Sequence, residues 1–305
     1  LIVIVVGISG LGFLLKETGD LDKMIDSLIA IFKDGKILSM ILPVLIGTLS
    51  VPGGAILSAP MVDESGDRIN LSRSHKTTVN LFFRHVGFLI YPLYGSMILT
   101  SKLFKMQKLT IIKYNFLIML AGIVSSYFVF FRGTTRDEGK IKADKDESGK
   151  GHHIINFFKG FGPILSIFVL AFGFDLPFHI AIFIGVIWAF GRYLNKNMFW
   201  SRIKLFFVEG IDYNLVGLIL GVMIFKAIVE KSGAVDSIAG FLLNLGIPLS
   251  LMIIVLGLIT GYLTGINMAA LGILIPLFLP LFNMSNPAPY ISLLFTASFL
   301  GYLVS

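Results

Sequence analysis

Apolar runs alternate with short polar stretches along this chain. Residues 1–15, 109–131, 154–173, 176–190 and 215–229 are almost continuously apolar. About 20 such residues cross the hydrocarbon core of a bilayer, so these segments are read as membrane spans or parts of them. Residues 21–32 follow another rhythm. Leu21, Met24, Ile25, Leu28, Ile29 and Phe32 recur at helical spacing, with Asp22, Lys23 and Asp26 off that face. The pattern predicts an interfacial amphipathic helix, with Asp20 as its cap. Residues 197–208 and 235–245 read the same way. Residues 63–76 form a polar loop, and 132–153 a charged linker without aromatics, expected to be mobile.

Three apolar runs are interrupted. Residues 36–62 contain Pro43, Ser50, Pro52, Gly53, Gly54 and Pro60, and neither Pro nor Gly favours a continuous helix. Residues 249–282 carry Thr264, Gly265 and Asn267 at their middle, and residues 78–103 break at the run Tyr-Pro-Leu-Tyr-Gly, 91–95. Irregular backbone at membrane depth is tolerated where it is buried in protein or lines a cavity. The first two runs are therefore read as re-entrant hairpins and the third as a broken helix; a proline-kinked span is the alternative.

The sequence also repeats itself. A shift of 214 positions carries Gly7, Gly19, Asp22, Gly47, Leu49, Ser50, Ala55 and Leu57 onto Gly221, Gly233, Asp236, Gly261, Leu263, Thr264, Ala269 and Leu271, without a gap. Such internal symmetry is a signature of transporter folds. The expected organisation is a first repeat over 1–131, the linker, two spans and an interfacial helix over 154–208, and a second, incomplete repeat over 209–305. Both ends are read as cut. Charge ranks the topologies. With both hairpins re-entrant, eighteen Lys and Arg fall on one side and six on the other; if the first element crosses, the split is fourteen to ten. The positive-inside rule prefers the first arrangement, with the linker cytoplasmic. An odd number of crossings then separates the copies, which makes them inverted.

Composition agrees: 55% of residues are hydrophobic and only 14% charged. The net charge of +7 is what cytoplasmic loops of membrane proteins supply, so no nucleic-acid partner is needed. Cysteine is absent, which excludes disulfides and thiol chemistry. No zinc-protease or hydrolase motif is present, and the chain is not read as an enzyme. The candidate site consists of the hairpin tips (Ser50, Pro52, Gly53, Gly54; Thr264, Gly265, Asn267) and the helix break (Tyr91, Pro92, Tyr94). Hydroxyls and freed carbonyls suit a desolvated Na⁺, and half-helix N-termini suit an anion. Packing hydroxyls are the alternative. Arg84 and His85 begin the broken run: Arg84 is a candidate for holding an anion or for snorkelling to the surface, and His85 is a titratable neighbour. No cofactor is expected beyond a coupling Na⁺ or H⁺.

The runs LPVLIGTLSVPGGAILSAPMV, FFRHVGFLIYPLYG and GYLTGINMAALGILIPLF resemble an uncharacterised prokaryotic integral-membrane family grouped with the ion transporter superfamily, which includes gluconate, citrate, dicarboxylate and arsenite permeases. The resemblance implies an all-α polytopic inverted repeat, with substrate and cation between paired hairpins and broken helices, and a second break near Ser305. Characterised relatives often carry Ser-Asn-Thr at the tips. This chain has Ser-Val-Pro and Thr-Gly-Ile-Asn, so neither cation nor substrate carries over. The reading is a cation-coupled secondary transporter of a small organic anion in the cytoplasmic membrane. A channel or a non-transporting scaffold is the alternative. The bilayer, the anion and a homodimer mate are the partners considered.

Overall fold

The computed structural model describes residues 2–49, 54–134, 149–194, 199–232, 246–282 and 286–305, with backbone alone at 54–57 and 230. Every regular element among them is helical: α1 (Ile2–Glu17), α2 (Asp20–Ile31), α3 (Gly35–Thr48), α4 (Gly54–Asp67), α5 (Arg73–Val86), α6 (Gly95–Leu103), α7 (Lys108–Phe131), α8 (Lys150–Phe168), α9 (Phe178–Tyr193), α10 (Phe199–Glu209), α11 (Tyr213–Lys231), α12 (Leu249–Thr264), α13 (Asn267–Phe278) and α14 (Ala288–Leu303). Among the described residues two helices are long and apolar enough to cross a membrane, namely α7 and α8 with its π-helical continuation to Gly173. The number rises to four if α1–α2 and α10–α11 each count as one bent span. On α7, Leu117 and Val129 are each 68% exposed, as befits side chains that face lipid. The expected interfacial segment 235–245 lies outside the described residues, as does most of the linker. Lys150–His153, assigned to that linker from sequence, instead form the first turn of α8.

The chain divides into two units, one built from 2–86 and 123–213 and the other from 87–122 and 214–305. In the first, α1 and α2 meet at a 69° bend, as a span followed by an amphipathic helix requires. Asp20 does not cap α2. It is the first residue of the helix, fully buried, and its carboxylate lies 2.7 and 2.8 Å from two guanidinium nitrogens of Arg192 on α9. A buried carboxylate needs a partner charge more than the helix needs a cap. Helices α3 and α4 pack side by side and antiparallel: Gly35 lies against Ser65, and the hydroxyls of Ser39 and Ser65 are 2.8 Å apart. Pro43 and Pro60 sit inside these helices without ending them.

The polar loop is shorter than the sequence suggests. Helix α4 runs to Asp67 and α5 starts at Arg73, because the intervening charges are organised. Lys76, 8% exposed, donates to Asp63 and Asp67 at 2.7 Å each, and its stem crosses Gly66. The hydrogen bond and the charge of Lys76 hold the Asp63 carboxyl below its ordinary pKa. Burial opposes the Lys76 charge, but its two carboxylate partners outweigh this and raise its pKa.

In the second unit, α12 packs along α14 through small residues. A methyl group on Gly257 would meet Ala297, and one on Gly301 would overlap the Leu258 carbonyl. Small residues let helix backbones approach this closely. Helix α13 lies against α6 and α11, where Met268 covers Gly95 and Gly272 faces Val222.

The two halves share one register. Shifted by 214, the bounds of α1, α3, α4 and α5 become 216–231, 249–262, 268–281 and 287–300; the observed α11, α12, α13 and α14 span 213–231, 249–264, 267–278 and 288–303. One contact repeats as well. Gly47 of α3 lies against the carbonyl of Arg84 on α5, and Gly261 of α12 lies against the carbonyl of Ser298 on α14. Both residues of the first pair map onto the second by the same shift of 214.

Candidate functional site

The site residues that the structure places together belong to the second unit, where a helix break meets a hairpin turn. After a 3₁₀ turn at Gly87–Leu89 the backbone leaves helical geometry and returns to it at Gly95. A break buried in protein leaves carbonyls that need new donors. The Leu89 carbonyl receives one from the Asn115 amide on α7, at 2.9 Å, and the Asn115 carbonyl oxygen accepts from the Ser292 hydroxyl on α14. Asn115 is fully buried and Ser292 nearly so. This network fixes the break without any charged group.

Tyr94 stands at the N-cap of α6 in extended conformation and leaves that helix end without a side-chain cap. Its ring stacks on Phe88 at 4.4 Å and meets Phe295 edge-on at 6.4 Å. On the facing hairpin, α12 ends where Gly265 takes φ 61°, a left-handed value that glycine adopts without strain. After Ile266, α13 begins at Asn267. The Asn267 carbonyl oxygen accepts from the Ser298 hydroxyl at 2.9 Å. Ser96 and Asn267 both approach the Tyr94 phenol. The Ser96 hydroxyl, the Asn267 amide nitrogen and the Thr296 hydroxyl are buried, and none closes a hydrogen bond of standard geometry among the described residues. The N-termini of α6 and α13 thus meet at Gly95 and Met268, with Ser96 and Asn267 on their first turns beside the Tyr94 phenol. Helix N-termini carry partial positive charge and free N–H groups.

Of the residues singled out from sequence, Tyr94 and Asn267 come together here. Pro92 is buried and Tyr91 half-buried in the break. Ser305 lies near Gly265, its Oγ 3.7 Å from where a Cβ would stand. The Thr264 hydroxyl donates back to its own helix, 2.8 Å from the Thr260 carbonyl, so only its lone pairs remain to serve a ligand. Ser50, Pro52 and Gly53 lie outside the described residues, and Gly54 opens α4. Arg84 and His85 belong to the other unit. Arg84 is half-buried beside Gly47, and the His85 Nδ1 lies 2.6 Å from the Leu81 carbonyl, one turn back on α5. Among the described residues no group of three or more His, Asp or Glu could hold a metal ion.

The sequence reading missed Ser96, Ser298, Thr296, Asn115 and Ser292. Ser and Thr in apolar helices are too common to stand out. Asn115 had a signal: it is the one amide side chain in α7.

Helices of spanning length with exposed apolar side chains, and no strand among the described residues, define a helical membrane protein. The whole chain, residues 1–305, matches the family described as Protein of unknown function (DUF401), and it belongs to that family. No curated protein matches the sequence.

Proposed function

We propose that the protein is a cation-coupled secondary transporter that moves a small organic anion across the cytoplasmic membrane by alternating access. The observation that carries the proposal is the repeated glycine contact, Gly47 on Arg84 and Gly261 on Ser298, within helix pairs that share one register. Repeats of this kind underlie transporter folds whose sites form at the repeat interface. Arm lengths support re-entrance. At 1.5 Å per residue, the fourteen residues of α3 and of α4 give about 21 Å each, against a core of ~30 Å. The same arithmetic gives about 24 Å for the sixteen residues of α12 and about 18 Å for the twelve of α13. Helices this short, with α3 and α4 packed antiparallel, fit an entry-and-return path better than a crossing. On the charge count, the first hairpin then enters from the cytoplasm with the linker, and the second from the opposite side.

The meeting N-termini of α6 and α13, with the Ser96 and Asn267 side chains beside the Tyr94 phenol, favour an anion. Carbonyls freed at the breaks and the lone pairs of Thr264 and Ser305 suit a coupling Na⁺; H⁺ is the other candidate. Arg84, which occupies in the first copy the position of Ser298 in the second, would add a cation beside Gly47.

The test is flux in proteoliposomes. Labelled mono-, di- and tricarboxylates are offered under an inward Na⁺ or H⁺ gradient. A transporter accumulates one class saturably against its gradient, and Asn267→Ala abolishes accumulation. A channel equilibrates the anion without accumulating it. No flux of any anion under either gradient refutes transport.

A further inference from the structure

The structure also carries a groove that the transport reading does not use. It lies in the first unit, between α8 and α9, and encloses about 490 Å³. Ile154, Ile155, Phe158, Lys159 and Gly162 of α8 and Trp188 and Arg192 of α9 line it. Trp188 lies across Gly162, its ring 3.1 Å from where a Cβ would stand, and it is still 48% exposed. Ile155 and Phe158 are about half-exposed as well. An outward-facing apolar groove with cations in its wall is suited neither to water nor to plain hydrocarbon.

Charge decides what fits. Arg192 is anchored: its guanidinium pairs with the buried Asp20 and donates to the Lys159 carbonyl at 3.2 Å, which ties α9 to α8. Asp20 is shared with Lys23, 3.3 Å away. Two cations, Lys23 and Arg192, therefore share one carboxylate. Lys159 makes no ion pair among the described residues, and none of the seven groove-lining residues is acidic. Lys159 and Arg192 both line the groove, and Arg192 stands about one helical turn from Trp188 on α9. Basic pockets between helices near the cytoplasmic surface attract anionic headgroups, and tryptophan favours the headgroup level.

We propose that this groove binds an anionic phospholipid, its phosphate held by Lys159 and Arg192 and an acyl chain laid over Gly162 against Trp188 and Phe158. The site stands apart from the transport reading and does not depend on it.

The chain has two tryptophans, so Trp200→Phe isolates the Trp188 signal. The full chain with that change is reconstituted with bilayer mixtures of phosphatidylcholine and phosphatidylglycerol, either one brominated on its acyl chain, and fluorescence quenching is recorded. Brominated phosphatidylglycerol should quench Trp188 at a several-fold lower mole fraction than brominated phosphatidylcholine. Lys159→Gln should reduce that preference about fivefold, the contribution of one cation near the surface. Lys204→Gln, an exposed cation outside the groove, should leave it unchanged. Equal quenching by the two lipids overturns the proposal. So does an unchanged preference in Lys159→Gln, or loss of the preference in about 5 mM inorganic phosphate at constant ionic strength, roughly the excess needed to compete as a free ion. Absence of quenching by both lipids would mean that something else, such as a second copy of the chain, covers the groove, and would equally refute it.

Discussion

Replacing Gly47 or Gly261 by alanine adds one methyl group at each of two positions related by the internal register. In both cases the methyl overlaps a backbone carbonyl oxygen, that of Arg84 or of Ser298. A side chain could rotate away, but a carbonyl inside a helix moves only if the helix moves. At Gly261 the Tyr302 nitrogen, 2.9 Å from the added atom, closes the other direction. Overpacking of this kind costs about 1–3 kcal/mol. Alanine also gains about 0.8–1.0 kcal/mol over glycine in helix propensity, which offsets part of the loss. Gly217 and Gly221 on α11 are internal controls, since nothing lies within 4 Å of a Cβ there. Alanine at these two sites should stabilise by about 0.4–1 kcal/mol. Thermal unfolding of the detergent-solubilised protein, followed by tryptophan fluorescence, should place Gly47→Ala and Gly261→Ala below the parent by several degrees, and Gly217→Ala and Gly221→Ala at or above it. If the two groups shift alike, or Gly47→Ala destabilises and Gly261→Ala does not, the shared register does not describe the packing.

Three further outcomes follow from the buried and paired polar groups. Asn115→Leu leaves the Leu89 carbonyl and the Ser292 hydroxyl without their partner and should cost about 1–3 kcal/mol; a cycle with Ser292→Ala in the same unfolding assay should be non-additive, because both act in one network. Arg192→Leu leaves the buried Asp20 with the half-exposed Lys23 as its remaining partner and should destabilise by up to about 3–5 kcal/mol, while adding Asp20→Asn should recover part of the loss, both read by denaturant titration. The Asp63–Lys76 pair sets a pH window. The folded Asp63 pKa is lowered, so its contribution is complete above the ordinary value of 3.8 and fades as pH falls through the lower folded value; the Lys76 pKa is raised, so its contribution is complete below 10.5 and fades only as pH rises beyond that. Amide exchange of residues 63–76 should therefore stay flat from about pH 5 to 9 after correction for intrinsic rates, and Lys76→Gln should raise it throughout that range.

Helix period and apolar run length were enough to place α7, α8, α9 and α11. The helix after α1 was legible from its amphipathic period, and the break at 91–95 and the turn at 265–266 because Gly and Pro interrupt apolar runs there. Two misreadings share a cause, pairing across distance. Asp20 looked like a cap because its ion partner is Arg192, 172 positions away. Residues 63–76 looked like a loop because nothing local shows that Lys76 gathers Asp63 and Asp67 and lets both helices extend. At the site, Tyr94 and Asn267 could be named from their turns, but Ser96, Ser298 and Asn115 could not. Their roles come from the burial of a hydroxyl or an amide against a neighbouring helix.

The inverted placement of the hairpins is the central claim, and the absence of cysteine makes it directly measurable. Single cysteines at Lys33 and Arg73 flank the first hairpin, and at Ile247 and Asn286 the second; all four positions are exposed. Right-side-out and inside-out membrane vesicles are labelled with an impermeant maleimide. The account predicts that Lys33→Cys and Arg73→Cys react only in inside-out vesicles, and Ile247→Cys and Asn286→Cys only in right-side-out ones. Reaction of Lys33→Cys and Arg73→Cys from opposite sides would mean that the first pair of helices crosses the membrane, and the inverted-repeat transporter would be contradicted.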